Sequence, residues 1–228
     1  ERERKNGWGL RESKGRESEG ESGRKRQGEM GASAQTLSFS VMFSLFLAPY
    51  FLILTLNLPG WAQLLLTIVM GVGMAGVGMN VMHDGNHGSF SKKKWVNKMM
   101  GSSIYILAGN VYNWQVQHNV LHHTYTNIHG HDEDLEAGRI LRFSKHAPWY
   151  KHHRFQHYYS IFLYGLLTFN WAITTDFLQM KRYLKRKLSY GEFPNPKIEW
   201  TKLVITKVIY VSIWIVLAPA SCAASSSE

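Results

Sequence analysis

The sequence predicts an all-α fold: an integral membrane helical bundle with a cytosolic histidine-rich cap, truncated at its C-terminus. Three observations point there. Polar and apolar residues are segregated: residues 1–30 are nearly all charged, Gly, Ser or Gln, while residues 37–82 are almost continuously apolar. Two successive uncharged stretches of about 22 residues each suffice to cross roughly 30 Å of hydrocarbon as helices. Two histidine clusters each follow an apolar stretch, and the segment between them is too short to cross a bilayer. The slightly negative mean hydropathy averages over this segregation and does not argue against a membrane protein.

Residues 1–30 read as a disordered polar segment with almost nothing to bury. The chain does not begin with Met, which suggests a fragment or a translated upstream region with Met30 as the start, and no signal peptide is evident. Residues 37–58 form a first span, Pro59 and Gly60 a turn, and residues 61–82 a second span with Trp61 at the interface. The run from Gly71 to Gly78 permits close packing of the two helices. Lys92, Lys93 and Lys94 then stand on the side of the basic N-terminus, as the positive-inside rule expects. Residues 99–109 are apolar for only about half a span, so they dip into the interface and leave the second cluster on the cytoplasmic side as well.

Residues 160–178 are apolar but contain Asn170. Crossing there would place the basic residues 181–187 outside, so an interfacial or membrane-dipping helix is preferred, with a crossing helix as the alternative. Lys202 and Lys207 stand at the start of the last apolar run, and a third span is expected at about 203–220. Residues 221–228 read as a low-complexity tail resembling a truncated end. Residues 31–220 are taken as one domain.

The formal net charge is +10, with lysines and arginines interleaved among long apolar runs. That pattern favours an anionic membrane surface over nucleic acid as the partner. A single cysteine, Cys222, excludes an intrachain disulfide framework and any multi-cysteine metal site. A metal here must use histidine and carboxylate.

The first cluster is His83-Asp84-Gly85-Asn86-His87, and the second is His118-Asn119-Val120-Leu121-His122-His123. The i, i+4 spacing places each pair on one helix face, and imidazole suits iron, zinc, copper and nickel. One such pair is more often a solvated helix face than a ligand pair. Two on the same side of a membrane, each beside an apolar segment, point to a metal site. Asp84 either ligates or orients a ring. His129 and His131 lie in a polar loop near the clusters, where Asp132, Glu133 and Asp134 read as orienting or surface groups. His146, His152, His153 and His157 share a stretch with Lys145, Lys151 and Arg154 that reads as a basic surface facing the membrane.

The run His83 to Phe90, together with Trp114-Gln115-Val116-Gln117-His118 through Asn127, resembles the first two histidine boxes of the membrane fatty acid desaturases. The spacing is similar to the acyl-CoA and acyl-lipid branch that includes front-end (delta-5 and delta-6 type) enzymes. The resemblance covers about residues 37–220. It implies two iron ions held by His83, His87, His118, His122 and His123, with Trp114 lining the acyl tunnel. It also implies O2, a long-chain acyl-CoA or acyl-lipid substrate, and an electron donor such as cytochrome b5 or ferredoxin. The product would be a cis double bond in a long acyl chain. The site would lie in the endoplasmic reticulum of a eukaryote or the inner membrane of a bacterium.

Two departures from the family pattern matter. No third histidine box occurs, and the His-Pro-Gly-Gly motif of a fused cytochrome b5-like domain is absent. Five ligands cannot fill two iron coordination spheres, so the 228-residue chain alone is expected to bind iron weakly and not to turn over. A fatty acid, sterol or carotenoid hydroxylase on the same scaffold is the nearest alternative. A non-catalytic membrane metal-binding protein is the other, and it would place its histidines inside the bundle, facing a pore.

Overall fold

The computed structural model describes residues 34–136 and 138–213; the expected disordered segment 1–30 and the tail 221–228 lie outside them. The described residues contain helices and no strand. Helix α1 (Ala34–Thr55) and helix α2 (Gly60–His87) are long and apolar enough to cross a membrane. Their large apolar side chains, among them Phe51, Leu64, Ile68 and Val72, are exposed, as a lipid-facing surface requires. The two helices meet backbone to backbone: a Cβ on Gly73 would lie 2.4 Å from the Phe46 nitrogen. The glycine-rich run thus does what its composition suggests.

The second helix runs further than the apolar pattern indicates. It passes through a π-helical stretch, Val77–Met82, and continues for one more turn, His83–His87. Gly88 then stops it in the left-handed conformation, with φ 73°, and donates its N–H to the Gly85 carbonyl. The first histidine pair therefore occupies the last turn of a spanning helix.

Helix α3 (Lys94–Gly101) folds back against that last turn and runs into a 3₁₀ segment, Ser102–Leu107. The apolar residues 99–109 are thereby spent on a short capping element. Helix α4 covers residues 111–125, and Asn110 caps it by accepting the Asn113 N–H. Its middle, Gln115–His122, is π-helical. After a long loop come helix α5 (Gln156–Asn170), a π-helical turn Trp171–Thr175, and helix α6 (Asp176–Lys185). The chain bends by 59° between the stretches on either side of residues 167–170. Helix α7 (Pro196–Val211) starts from an Asn195 cap with proline in its first turn. Of the expected third span, 203–220, only residues 203–213 lie among the described residues.

Two separate cores form. Phe46, Val77, Met82, Ile104 and Leu107 pack around α1, α2 and the 3₁₀ segment. Tyr112, Val116, Leu121, Met180, Tyr183 and Leu203 join α4, α6 and α7. Lys207, which the sequence places among basic residues ahead of a span, is 5% exposed. Its Nζ donates to Asp176 Oδ2 at 2.6 Å, to the Trp171 carbonyl at 2.9 Å and to the Ala108 carbonyl. Asp176 in turn accepts from Asn113 Nδ2 through Oδ1 (3.0 Å) and its main-chain oxygen (2.8 Å). One buried ion pair thus fastens α7 and α6 to the start of α4.

Candidate metal centre

The two clusters arrive from different helices and converge. His118 is the hub: its ring centroid lies 5.1 Å from His83, 5.2 Å from His87, 5.3 Å from His122 and 4.8 Å from His123. His83 and His87 are 4.5 Å apart, and His87 lies 4.9 Å from His123. The π-helical stretch explains how three histidines of one helix share a face. In an α-helix, residues 118 and 123 would point about 140° apart. A turn closed by i→i+5 bonds brings the fifth residue much closer to the starting direction.

Ligand atoms of His83, His87 and His118 lie within 4.8 Å of one another, as do those of His118, His122 and Asp134. Each trio is compact enough to hold a metal ion. His118 Nε2 is buried and has no hydrogen-bond partner. A bare buried ring nitrogen is costly unless something else takes its lone pair. Burial, followed by the neighbouring imidazoles, lowers the His118 pKa from 6.5 to about 4. The ring therefore stays neutral at ordinary pH, the form in which imidazole ligates. In metal-free protein its NMR titration is expected to fall near pH 4; a midpoint near 6.5 would show a solvated ring. The unfolded chain takes up this proton first, so the fold loses stability as pH falls from about 6.5 toward 4.

Carboxylates orient the rings. Asp132 is fully buried, and both its oxygens lie 3.1 Å from His122 Nδ1. Its oxygens also accept the N–H groups of Asn127 (2.8 Å) and Asp134 (3.1 Å). Burial pushes Asp132 toward the neutral acid, but these N–H groups and the His122 ring together hold its pKa below the usual value. With Nδ1–H directed at a carboxylate, His122 keeps its Nε2 lone pair for a metal. Asp84 Oδ1 lies 3.1 Å from His83 Nδ1 in the same relation.

His129 and His131 stay out of the cluster, His129 pairing with Glu136 at 2.8 Å and His131 packing on Tyr125. Glu133 turns away to accept from Arg182 (2.6 Å) and the Tyr183 hydroxyl (2.5 Å). His152 and His153 both lie within hydrogen-bond distance of the Arg139 carbonyl. Trp114 lies over His118, with centroids 4.5 Å apart, and within 5.8 Å of His83 and His87. Two cavities open beside the cluster. One of about 540 Å³ reaches His87 and is lined by Lys94, Lys98, Lys202 and Tyr105. The other, about 940 Å³, reaches Gln117 and Asp134 and is lined by Leu141, Phe143, Leu163, Trp171 and Leu178. The polar residues that lock the helices together, Asn86, Gln115, Asn119 and Asp176, carry no signature that sequence reasoning detects beyond being polar in apolar surroundings.

Convergent imidazoles at the end of a spanning helix are matched by comparison with known proteins. Residues 59–225 match the family model described as fatty acid desaturase. The chain belongs to that family. It is 37% identical over 158 residues to an sn-1 linoleoyl-lipid 6-desaturase of Arthrospira platensis, covering 69% of this chain and 42% of the relative. An acyl-lipid (8-3)-desaturase of Physcomitrium patens is 32% identical over 137 residues (58% and 28%). An sn-1 linoleoyl-lipid 6-desaturase of Synechocystis is 32% identical over 120 residues (53% and 33%). The chain thus spans less than half the length of these curated relatives. No solved structure matches it.

Proposed function

We propose that this desaturase-family chain holds the first two histidine boxes of an acyl-lipid desaturase, which introduces a cis double bond into a long acyl chain. The observation that carries the reading is the convergence of His83, His87, His118, His122 and His123 around one buried, unpartnered nitrogen. These five residues are the proposed ligands of two iron ions. Bound iron supplies the oxygen-activating chemistry that removes two hydrogens from adjacent methylene groups.

The protein's own contribution is placement. Asp132 and Asp84 orient His122 and His83 so that each offers its other nitrogen. Trp114, lying over His118 and edge-on to His83 and His87, is the apolar surface that holds the reacting carbons beside them. The larger cavity suits the acyl chain along its apolar wall, and in the smaller one Lys94 and Lys98 suit an anionic headgroup, whether of a phospholipid or of CoA, Lys202 there being paired with Glu199. Electrons come from a donor of the cytochrome b5 or ferredoxin kind. The boxes face the cytoplasm, beside Lys92, Lys93 and Lys94. Helix α5 dips into the membrane and α6 returns to the cap, a reading supported by the bend between them and by the α6 contacts of Arg182 with Glu133 and Gln179 with Gln117.

The test is expression of the complete reading frame containing these residues in a host without such a desaturase, with fatty acid profiling and iron analysis of the purified protein. A new cis double bond, lost together with iron in His118→Ala, is the expected result. A hydroxylated product without an alkene would overturn it.

A further inference from the structure

Asn86 lies inside the first histidine box, yet its side chain takes no part in the ring cluster. It is 5% exposed. Its Nδ2 donates to the Gly101 carbonyl at 3.0 Å and to the Met82 carbonyl at 3.2 Å. Its Oδ1 accepts from Gln115 Nε2 at 3.2 Å, and its main-chain oxygen accepts from Asn119 Nδ2 at 3.1 Å. Gln115 and Asn119 are one i, i+4 pair on α4, interleaved with the pair His118 and His122. The helix that presents the second box is therefore docked on the first through amides, next to the rings it presents.

The contact has little slack. A Cβ on Gly85 would lie 2.4 Å from the Gly101 nitrogen, and a Cβ on Gly101 would lie 2.7 Å from Asn86 Oδ1. The backbones of α2 and α3 touch, so Asn86 cannot move away from α3 to follow a shifted α4. Both of its amide hydrogens and its oxygen are engaged.

We propose that Asn86, with Gln115 and Asn119, is a positioning clamp that sets the spacing between the two histidine boxes and so their affinity for metal. This rests on the five histidines binding metal at all. The bonds of both α4 amides go to Asn86 and not to a ring, so the effect passes through the separation of α2 and α4. Groups that orient ligands from behind change metal affinity by about 10–100-fold.

The probe is cobalt(II), whose visible absorption reports its coordination, titrated into the purified full chain in detergent beside thermal unfolding of the metal-free protein. Gln115→Met and Asn119→Leu each remove one cross-helix bond and leave Asn86 bound to its own helix and to α3. Each is expected to weaken cobalt binding about tenfold, more than the modest fall in metal-free melting temperature from one lost hydrogen bond accounts for. The effects of Gln115→Met and Asn86→Ala are expected to be less than additive, because both break one bond. Unchanged affinity in the α4 variants overturns the clamp alone, as does a loss of affinity that only tracks a lowered melting temperature. A wild-type protein that binds no cobalt, like a His118→Ala control, overturns the clamp and the ligand assignment together.

Discussion

Lys207→Met is expected to destabilise the protein by about 3–5 kcal/mol, the cost of leaving one member of a buried ion pair without its partner. Asp176 is only 3% exposed, and with Lys207 gone its charge has Asn113 but no cation. The carbonyls of Ala108 and Trp171 lose their donor at the same time. The double change Lys207→Met with Asp176→Leu is expected to recover most of the loss, because an apolar pair of similar volume costs little in such a place. Asn113 keeps the main-chain oxygen of residue 176 in either case. Melting in detergent micelles checks both, and equal losses in single and double variants would show that the charge pairing is not what matters.

Asp132→Asn carries the second large effect. The carboxylate accepts from Asn127 N, Asp134 N and the His122 ring and donates to none of them. An amide cannot do this, since its NH₂ must face at least one existing donor. The His122 ring then loses its buried carboxylate, and only Asp134 Oδ2, 3.2 Å from Nδ1, is left to hold its proton away from Nε2, the nitrogen a metal needs. Cobalt affinity is expected to fall by about 10–100-fold, and stability by about 1–3 kcal/mol for the misplaced donor. Glu133→Gln is the neighbouring control. Its partners are Arg182 and Tyr183, away from the rings, so metal affinity should hold. Equal losses in both variants would make the loop, not the ring orientation, the cause.

Much of this was legible before the fold. Uncharged runs announce α1 and α2 because a bilayer-spanning helix has no other composition available, and the i, i+4 histidines announce a shared face. The far end of α2 was less legible. The polar residues of the first box look like a break in an apolar pattern, yet backbone hydrogen bonding carries the helix on to Gly88. The π-helical stretch that gathers His118, His122 and His123 has no marker in composition. Lys207 reads as a membrane-edge cation because its partner, Asp176, is 31 residues away and belongs to another helix. Amides such as Asn86 and Gln115 have neither period nor charge to reveal which helix they will meet.

The two cores described above place the histidine boxes in different halves of the molecule. The first box ends a helix of the α1–α2 half, and the second lies on α4, whose residues Tyr112, Val116 and Leu121 belong to the other. Val111 and Trp114 already lean across to the first half. An ion drawing ligands from both boxes would sit on the seam, and its binding energy would become cohesion between the halves. Iron loss would then first show as a parting along that joint, while each core stays intact. The prosthetic group would serve this protein as mortar as well as reagent.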